Sequence, residues 1–444
     1  MPRDLSRRSF LKHVSAAGLA MPLILPRLSL AAPPSGRLQH AAIGVGGQGA
    51  SDLENIFASG KVDVYALCDI DERTLQKAAK RYPGARLYRD WREMLEKEEK
   101  NVDSVNVSTP DHMHAAPAMT AIRKGKHVFC EKPLTHEVYE ARKLTLAARE
   151  KGVATQMGIQ IHSHEFYRTA VHWLKAGAIG KVTAWHSWSA AVYTMDDKKR
   201  PAGADPVPEH VAWDLWLGVA PKRPYKKDIY HPFKWRCWRD FGGGATGDFG
   251  CHIFDPVFTA LEIGAPLSIV SETECVSDEV HPGWSIARYV FPGAALTAGK
   301  TIEAVWMDGG KMPAPGVSPH VPADRELPPS GSLVIGEEGT LLIPHVGPPK
   351  LFPEEKFKDY PKPELAPLDH YHEFVEAALG NGKPGANFDF AGPLTEAVLL
   401  GNIANRFPGE TLEWNAEKLK FTNHRKASDL LRRRYRGGWR VRGL

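Results

Sequence analysis

The sequence predicts an α/β protein: an N-terminal doubly wound parallel sheet, then an α+β domain with a large, mostly antiparallel open sheet. Three observations carry this. Short apolar runs alternate with helix-period segments between residues 39 and 158. Beyond that the pattern changes to fewer, longer segments rich in Trp and Gly, several with one solvated face. The length of 444 residues also exceeds the size at which a single core usually stops growing, so two domains are expected.

Composition narrows the function classes. A chain with 43% hydrophobic residues is globular, not disordered. Five cysteines are too few for a disulfide scaffold, and none forms a C-x-x-C pair; mostly buried thiols are expected. No uninterrupted apolar run reaches about 18 residues, which excludes a polytopic membrane protein. The net charge of +5 is unevenly spread. Residues 1–32 hold five basic side chains against one Asp, and residues 423–444 hold eight against one. The body between them is therefore acidic, which argues against a nucleic-acid binder. The basic tail, with Arg432, Arg433, Arg434 and Arg436, is expected to pair with acidic surface of its own chain or a neighbour.

The N-terminus reads Ser6-Arg7-Arg8-Ser9-Phe10-Leu11-Lys12, then an apolar stretch from Val14 to Leu25, then Ser29-Leu30-Ala31. Basic, apolar and small-residue regions in that order make a secretory signal, and the paired arginines resemble a twin-arginine signal. Residues 1–32 are thus expected to direct export, to the periplasm or another extracytoplasmic space.

The first strand, Gln39 to Val45, runs into Gly44-Val45-Gly46-Gly47-Gln48-Gly49, with G-x-G-x-x-G at 44, 46 and 49. A helical pattern follows, then a strand from Val62 to Cys68 ending at Asp69. Strand, glycine turn, helix, strand and acid in this order are the dinucleotide (Rossmann) signature. The glycines let the backbone approach a pyrophosphate, and the helix N-terminus offers free N–H groups to it. Asp69 is placed to accept from adenosine ribose hydroxyls, which favours NAD; Arg73 nearby leaves NADP open. The next strand, Asp103 to Ser108, ends in Thr109-Pro110-Asp111-His112-Met113-His114, and a helix covers 115–124. The strand His127 to Cys130 leads into Glu131-Lys132-Pro133. Both clusters fall at carboxyl ends of strands, where such sheets bind ligands.

These residues together resemble the Gfo/Idh/MocA family, NAD(P)-dependent oxidoreductases related to glucose-fructose oxidoreductase and inositol dehydrogenase. The resemblance implies that Glu131-Lys132-Pro133 lies at the nicotinamide end, with a cis peptide before the proline and Lys132 holding substrate. It implies that Ser108, Thr109, Pro110, His112 and His114 sit beside the cofactor. Gly158-Ile159-Gln160 resembles the domain crossover, where Gln160 approaches the nicotinamide. No metal is implied, although Asp111, His112, His114 and His162-Ser163-His164 contain ligand-type side chains.

In the second domain, Thr183 to Ser189 and Ser285 to Phe291 alternate like strands. Ser332 to Ile335 and Thr340 to Ile343 flank a Gly336-Glu337-Glu338-Gly339 turn, a hairpin signal. Residues 196–232 and 311–330 are Pro-rich and expected to be long loops over the site or an interface. The chemical centre is Phe241-Gly242-Gly243-Gly244-Ala245-Thr246-Gly247-Asp248-Phe249-Gly250-Cys251-His252, entering an apolar helix. Asp248 and His252, four apart, share a helix face, and a carboxylate beside an imidazole suits a general base. Spacing alone also fits an acid that favours the helix dipole next to a packed histidine. The resemblance identifies the pair with the family's catalytic Asp-x-x-x-His and completes a Lys132, Asp248, His252 triad. Among the upstream aromatics, Trp235 and Trp238 are candidates for stacking on a sugar ring, with Arg236 for its hydroxyls.

The expected organisation is a signal over 1–32, an NAD(P)-binding domain over 37–158, a substrate and oligomerisation domain over 159–422 and a basic tail over 423–444. The expected activity is oxidation of a secondary hydroxyl of a sugar, polyol or glycoside by a homodimer or homotetramer. Free NAD is scarce outside the cytoplasm, so the cofactor is expected to be held tightly. Two alternatives stand beside this: an NAD-dependent glycoside hydrolase that oxidises, eliminates, hydrates and reduces, and a non-catalytic sugar-binding scaffold.

Overall fold

The computed structural model describes residues 35–444; the signal expected over 1–32 lies outside the described residues. The first domain is a six-stranded, all-parallel sheet in the order β3-β2-β1-β4-β5-β6. Its strands are β1 (Leu38–Ile43), β2 (Val62–Cys68), β3 (Arg86–Tyr88), β4 (Ser104–Val107), β5 (His127–Glu131) and β6 (Thr155–Gly158). The helices between them are α1 (Gln48–Ala58), α2 (Glu72–Arg81), α3 (Trp91–Lys97), α4 (Ala115–Arg123) and α5 (Val138–Lys151). β4 and β5 are buried along their whole length because helices cover both faces. Asp71 and Asp90 cap α2 and α3 by accepting from the backbone N–H of Arg73 and Arg92. α1 has no side-chain cap, so its first N–H groups have no side-chain acceptor. Strand order reverses between β1 and β4, which leaves a crevice beyond their carboxyl ends.

The second domain contains a nine-stranded sheet in the order β13-β12-β11-β7-β10-β9-β8-β14-β15. These strands are β7 (Val182–Trp188), β8 (Ser268–Thr273), β9 (Ser285–Pro292), β10 (Thr301–Met307), β11 (Gly331–Gly336), β12 (Thr340–Pro344), β13 (Lys350–Phe352), β14 (Leu412–Asn415) and β15 (Lys420–Phe421). Only β7 and β10 pair in parallel; the remaining pairs are antiparallel. The β11–β12 hairpin forms where the Gly-Glu-Glu-Gly turn places it. The helices are α6 (Glu165–Lys175), α7 (Trp213–Leu217), α8 (Gly244–Leu261), α9 (Glu354–Phe357), α10 (His370–Ala378), α11 (Phe388–Ala404) and α12 (Arg425–Asp429). Between 196 and 232 the chain is irregular except for the short helix α7; the 311–330 segment has no regular element.

α8 joins the two halves. Phe254 packs edge-on against Trp185 and Trp306 of the sheet. On its other side Gly250 sits so close to α11 that a Cβ there would lie 2.8 Å from Val398. α11 in turn packs on α5, fastened by a two-pronged Arg142–Glu396 ion pair. This stack sets the start of α8 opposite the end of β5, which brings Asp248 and His252 to Lys132.

The tail behaves as its charge predicts. Arg433 donates to Glu137 at 2.8 Å, and Tyr435 to Glu140 at 2.6 Å, both on the first domain. All five thiols are free and four are buried. No helix among the described residues is long and apolar enough to cross a membrane.

Candidate active site

A cavity of about 1280 Å³ runs along the crevice from Asp69 to His252. At one end is the glycine turn. Gly44 has φ +81°, and a Cβ on it would lie 2.4 Å from the carbonyl of Ser108. A Cβ on Gly49 would lie 2.1 Å from the carbonyl of Gly44, so only glycine lets α1 begin this close beneath the turn. Gly46, Gly47 and Gln48 line the cavity above it. This cradle, open to an uncapped helix N-terminus, fits a dinucleotide's pyrophosphate.

Asp69 follows β2. Its carboxylate accepts from the N–H of Val45 and of Asp71, both at 2.9 Å, so it braces the turn as well as lining the cavity. Burial raises its pKa to about 6 despite those bonds. Asp71, which sequence reasoning passed over, is also at this end. Arg73 lies 3.4 Å from its carboxylate, and His210 and His231 of the second domain lie 3.7 and 3.9 Å away. The Asp-Glu-Arg helix-start pattern was the available signal for Asp71; nothing in the sequence announced its two histidines.

Ser108, Thr109, Pro110 and His114 line the middle of the cavity. The ring nitrogens of His114 sit 2.8 and 2.7 Å from the carbonyl oxygens of Pro133 and Thr109, tying the β4 and β5 ends together. His112 requires a correction. It does not line the cavity. It is fully buried between Trp216 and Phe241, with its ring nitrogens 3.3 and 3.0 Å from the carbonyls of Phe241 and Trp216. Its ring pins the two domains together; neighbouring Asp111, which accepts from Gly243 N–H at 2.9 Å, does line the cavity.

At the far end Glu131, Lys132, Gln160, Trp235, Arg236 and His252 converge. The Lys132–Pro133 peptide is cis. Lys132 Nζ donates to the Asp248 carboxylate at 2.7 Å and to its backbone carbonyl at 3.1 Å. Burial opposes the charge on Lys132, but Asp248 and Glu131 outweigh it and raise the pKa. Burial likewise opposes ionisation of Asp248, yet Lys132 and Arg236 hold it down at about 2. The carboxylate is thus spent on Lys132, with Arg236 Nε 3.6 Å away, and does not hydrogen-bond the imidazole as the spacing suggested. His252 Nδ1 is buried with no hydrogen-bond partner among the described residues. Burial, then the charge of Lys132 and the nearby His345, push the His252 pKa well below its ordinary value, so the ring is neutral. His345, from the segment after β12, lies with its ring tilted and 5.4 Å from it, centre to centre, and approaches Tyr167 Oη at 3.1 Å; no sequence motif marked it.

Glu131 accepts from Gln160 at 2.9 Å. Burial and the proximity of Asp52 raise its pKa well above normal. Asp52 itself accepts from Gln48, Ser108 and Tyr371. The arrangement locks the β5 end to the turn from below. Trp235, 7% exposed, lines the cavity, with the Arg236 guanidinium 4.1 Å from its ring centre. Trp238 requires the second correction. It is 1% exposed, donates to the Ile229 carbonyl and packs on Tyr230 in an aromatic cluster, away from the cavity. The candidate metal ligands scatter: His162 pairs with Asp255 at 2.8 Å, outside the crevice.

Fold and crevice define a two-domain dinucleotide-binding protein whose first domain supplies a lysine and whose second supplies the lysine's carboxylate partner and a neutral imidazole. Residues 38–159 match the Gfo/Idh/MocA model described as oxidoreductase family, NAD-binding Rossmann fold. Residues 171–292 match that family's C-terminal alpha/beta domain. Together these cover more than half of the chain, which belongs to the Gfo/Idh/MocA oxidoreductase family and carries its NAD-binding Rossmann domain. Levoglucosan dehydrogenase of Pseudarthrobacter phenanthrenivorans is 24% identical over 180 residues, 40% of this chain and 37% of that protein. The alignment thus spans little more than a third of that relative's length. The WlbA dehydrogenase of Bordetella pertussis, solved with NADH and UDP-GlcNAcA, superposes with a TM-score of 0.60 at 17% identity, over 85% of this chain and 99% of that one. The aldose-aldose oxidoreductase of Caulobacter crescentus, solved with glycerol, gives 0.57 at 17% identity, over 85% and 100%.

Proposed function

We propose that the protein is an NAD-dependent oxidoreductase acting on a secondary hydroxyl of a sugar, polyol or glycoside. The observation that carries the reading is the Lys132–Asp248 pair beside the neutral His252, at the end of a cavity that begins at the glycine turn. The cradle, Asp69 and Gln160 would hold NAD; when bound it supplies the hydride acceptor. His252, neutral and lining the cavity, would take the hydroxyl proton. Lys132, kept charged by Asp248, would bind the same oxygen and stabilise developing negative charge. Trp235 offers a flat face to the apolar side of a ring, and Arg236 donors to its hydroxyls. The similarity to levoglucosan dehydrogenase supports a carbohydrate substrate.

The arginine pair at Arg7-Arg8 supports export by the twin-arginine route, which moves folded proteins. An exported enzyme of this type would hold its cofactor tightly and reset it within each cycle, as a homodimer or homotetramer. The test is to purify the protein from the exported fraction, identify any bound nucleotide by mass spectrometry and titrate a sugar panel while following the reduced-nicotinamide absorbance. Substrate should create or bleach that band. Release of free sugar from aryl glycosides with no net band change would replace the dehydrogenase by a hydrolase. Binding of sugar with no turnover, unchanged in His252→Ala, would leave only a scaffold.

A further inference from the structure

Residues 431–444 carry a feature that neither the triad nor the glycine turn uses. The tail is fastened at successive points to both domains. The N–H of Tyr139 donates to the Leu431 carbonyl at 3.0 Å. Arg433, half-buried between Glu137 at 2.8 Å and the Asp240 carbonyl at 2.9 Å, ties the first domain to the loop before α8. Arg436 donates to the Gly218 and Asp214 carbonyls, both at 2.9 Å, and pairs with the Asp214 carboxylate. Arg123 donates to the Arg442 carbonyl at 2.8 Å. Between these anchors Trp439 turns inward. It is 5% exposed and is part of the cavity wall together with Asp90 and Trp91. The Arg92 guanidinium lies 3.9 Å from its ring centre and also donates to the Gly438 carbonyl.

The location assigns the ligand. Asp90 and Trp91 follow β3, the outer strand on the β2 side of the sheet, next to the Asp69 turn. In a doubly wound sheet that half takes the adenosine, and the β4–β5 half takes the nicotinamide. We propose that the C-terminal segment is a strap over the adenosine end of the crevice, in which Trp439 is a wall of the adenine pocket, and that the dinucleotide leaves only when this strap lifts. The inference rests on the dinucleotide reading above. It supplies a physical reason for retention: aromatic faces suit a base, and the anchors Arg433 and Arg436 hold the ring in place without touching the ligand.

The experiment uses the mature chain and two probes that divide the dinucleotide: ADP-ribose, which has the adenosine, and nicotinamide mononucleotide, which lacks it. Trp439→Ala should release ADP-ribose and NAD about ten- to a hundredfold faster, the range expected for loss of one aromatic contact to a base, with nicotinamide mononucleotide affinity unchanged. Arg436→Gln keeps the indole and loosens its anchor, so it should speed release in the same selective way; it guards against a misfolded Trp439→Ala. Linkage gives a further readout on the unmutated protein: bound ADP-ribose should slow tryptic cleavage at Arg432–Arg436, and nicotinamide mononucleotide should not. Equal loss of both probes would reduce Trp439 to a packing residue and overturn the proposal. So would unchanged release in both variants, or tail cleavage indifferent to ADP-ribose. Failure of the unmutated protein to bind either probe would instead sink the dinucleotide reading itself.

Discussion

The substitution Asp248→Asn isolates the group on which the site's charge balance depends. It keeps the shape and one carbonyl acceptor but leaves Lys132, 2.7 Å away and 15% exposed, without its counter-charge. Arg236, 3.6 Å from the same oxygen, loses it too. Removing one partner of a buried pair costs about 3–5 kcal/mol, because the remaining charge stays desolvated. Lys132→Met alone should also destabilise, since it strands the carboxylate; the double variant should lose less than the two singles combined, with a coupling of at least about 1 kcal/mol. The pH dependence carries the sign. The folded pKa of Asp248, about 2, lies below the ordinary carboxylate value of 3.8. Its stabilisation is therefore complete above about pH 4 and is lost as pH falls toward 2. Urea midpoints followed by tryptophan fluorescence, at neutral pH and down the acid limb, measure both effects. An Asp248→Asn protein with the wild-type midpoint at pH 7 and the wild-type acid sensitivity would refute the pairing.

Three further outcomes are expected. Gly49→Ala places a methyl 2.1 Å from the Gly44 carbonyl and should lower NAD affinity at least about tenfold while costing about 1–3 kcal/mol of stability, read by calorimetric titration and melting. His252→Asn should abolish turnover while retaining NAD. Because burial depresses the His252 pKa, the ring is neutral when folded but protonates in the unfolded chain near pH 6.5, so stability should fall as pH drops below that value, and less steeply in the variant. Trp238→Ala should cost about 3–5 kcal/mol by opening the aromatic cluster, whereas Trp235→Ala should weaken sugar binding in titrations, since only Trp235 faces the cavity.

The N-terminal half was legible because its physics is local. A parallel strand buried on both faces reads as a mostly apolar run, and a turn that brings α1 beneath Gly44 must be glycine, so β1, the turn, β2 and Asp69 could be read in order. Lys132 lies far in sequence from Asp248 and His252; family resemblance, not periodicity, brought it to them. Direction was the weak point. His112 and Trp238 sit beside true cavity residues in the sequence, but their rings turn into the aromatic cluster of Trp216, Tyr230 and Phe241, whose packing no short-range pattern encodes. Asp248 faced the opposite ambiguity. Helical spacing put it near His252, yet the nearer cation captured its carboxylate. Trp439 and His345 were hidden for a similar reason, since each reaches the site or its neighbourhood from an irregular segment.

The loop that carries His210 does more than flank Asp71. Val211 forms a bridge with Asp71, the N–H of Glu72 donates to the His210 carbonyl at 2.9 Å, and the N–H of Ala212 donates to the Ile70 carbonyl at 3.0 Å. The two domains are therefore stitched main chain to main chain across the mouth of the crevice, and no single side-chain replacement undoes the seam. The amides of Glu72 and Ala212 are therefore reporters of this seam: their hydrogen exchange measures its local opening.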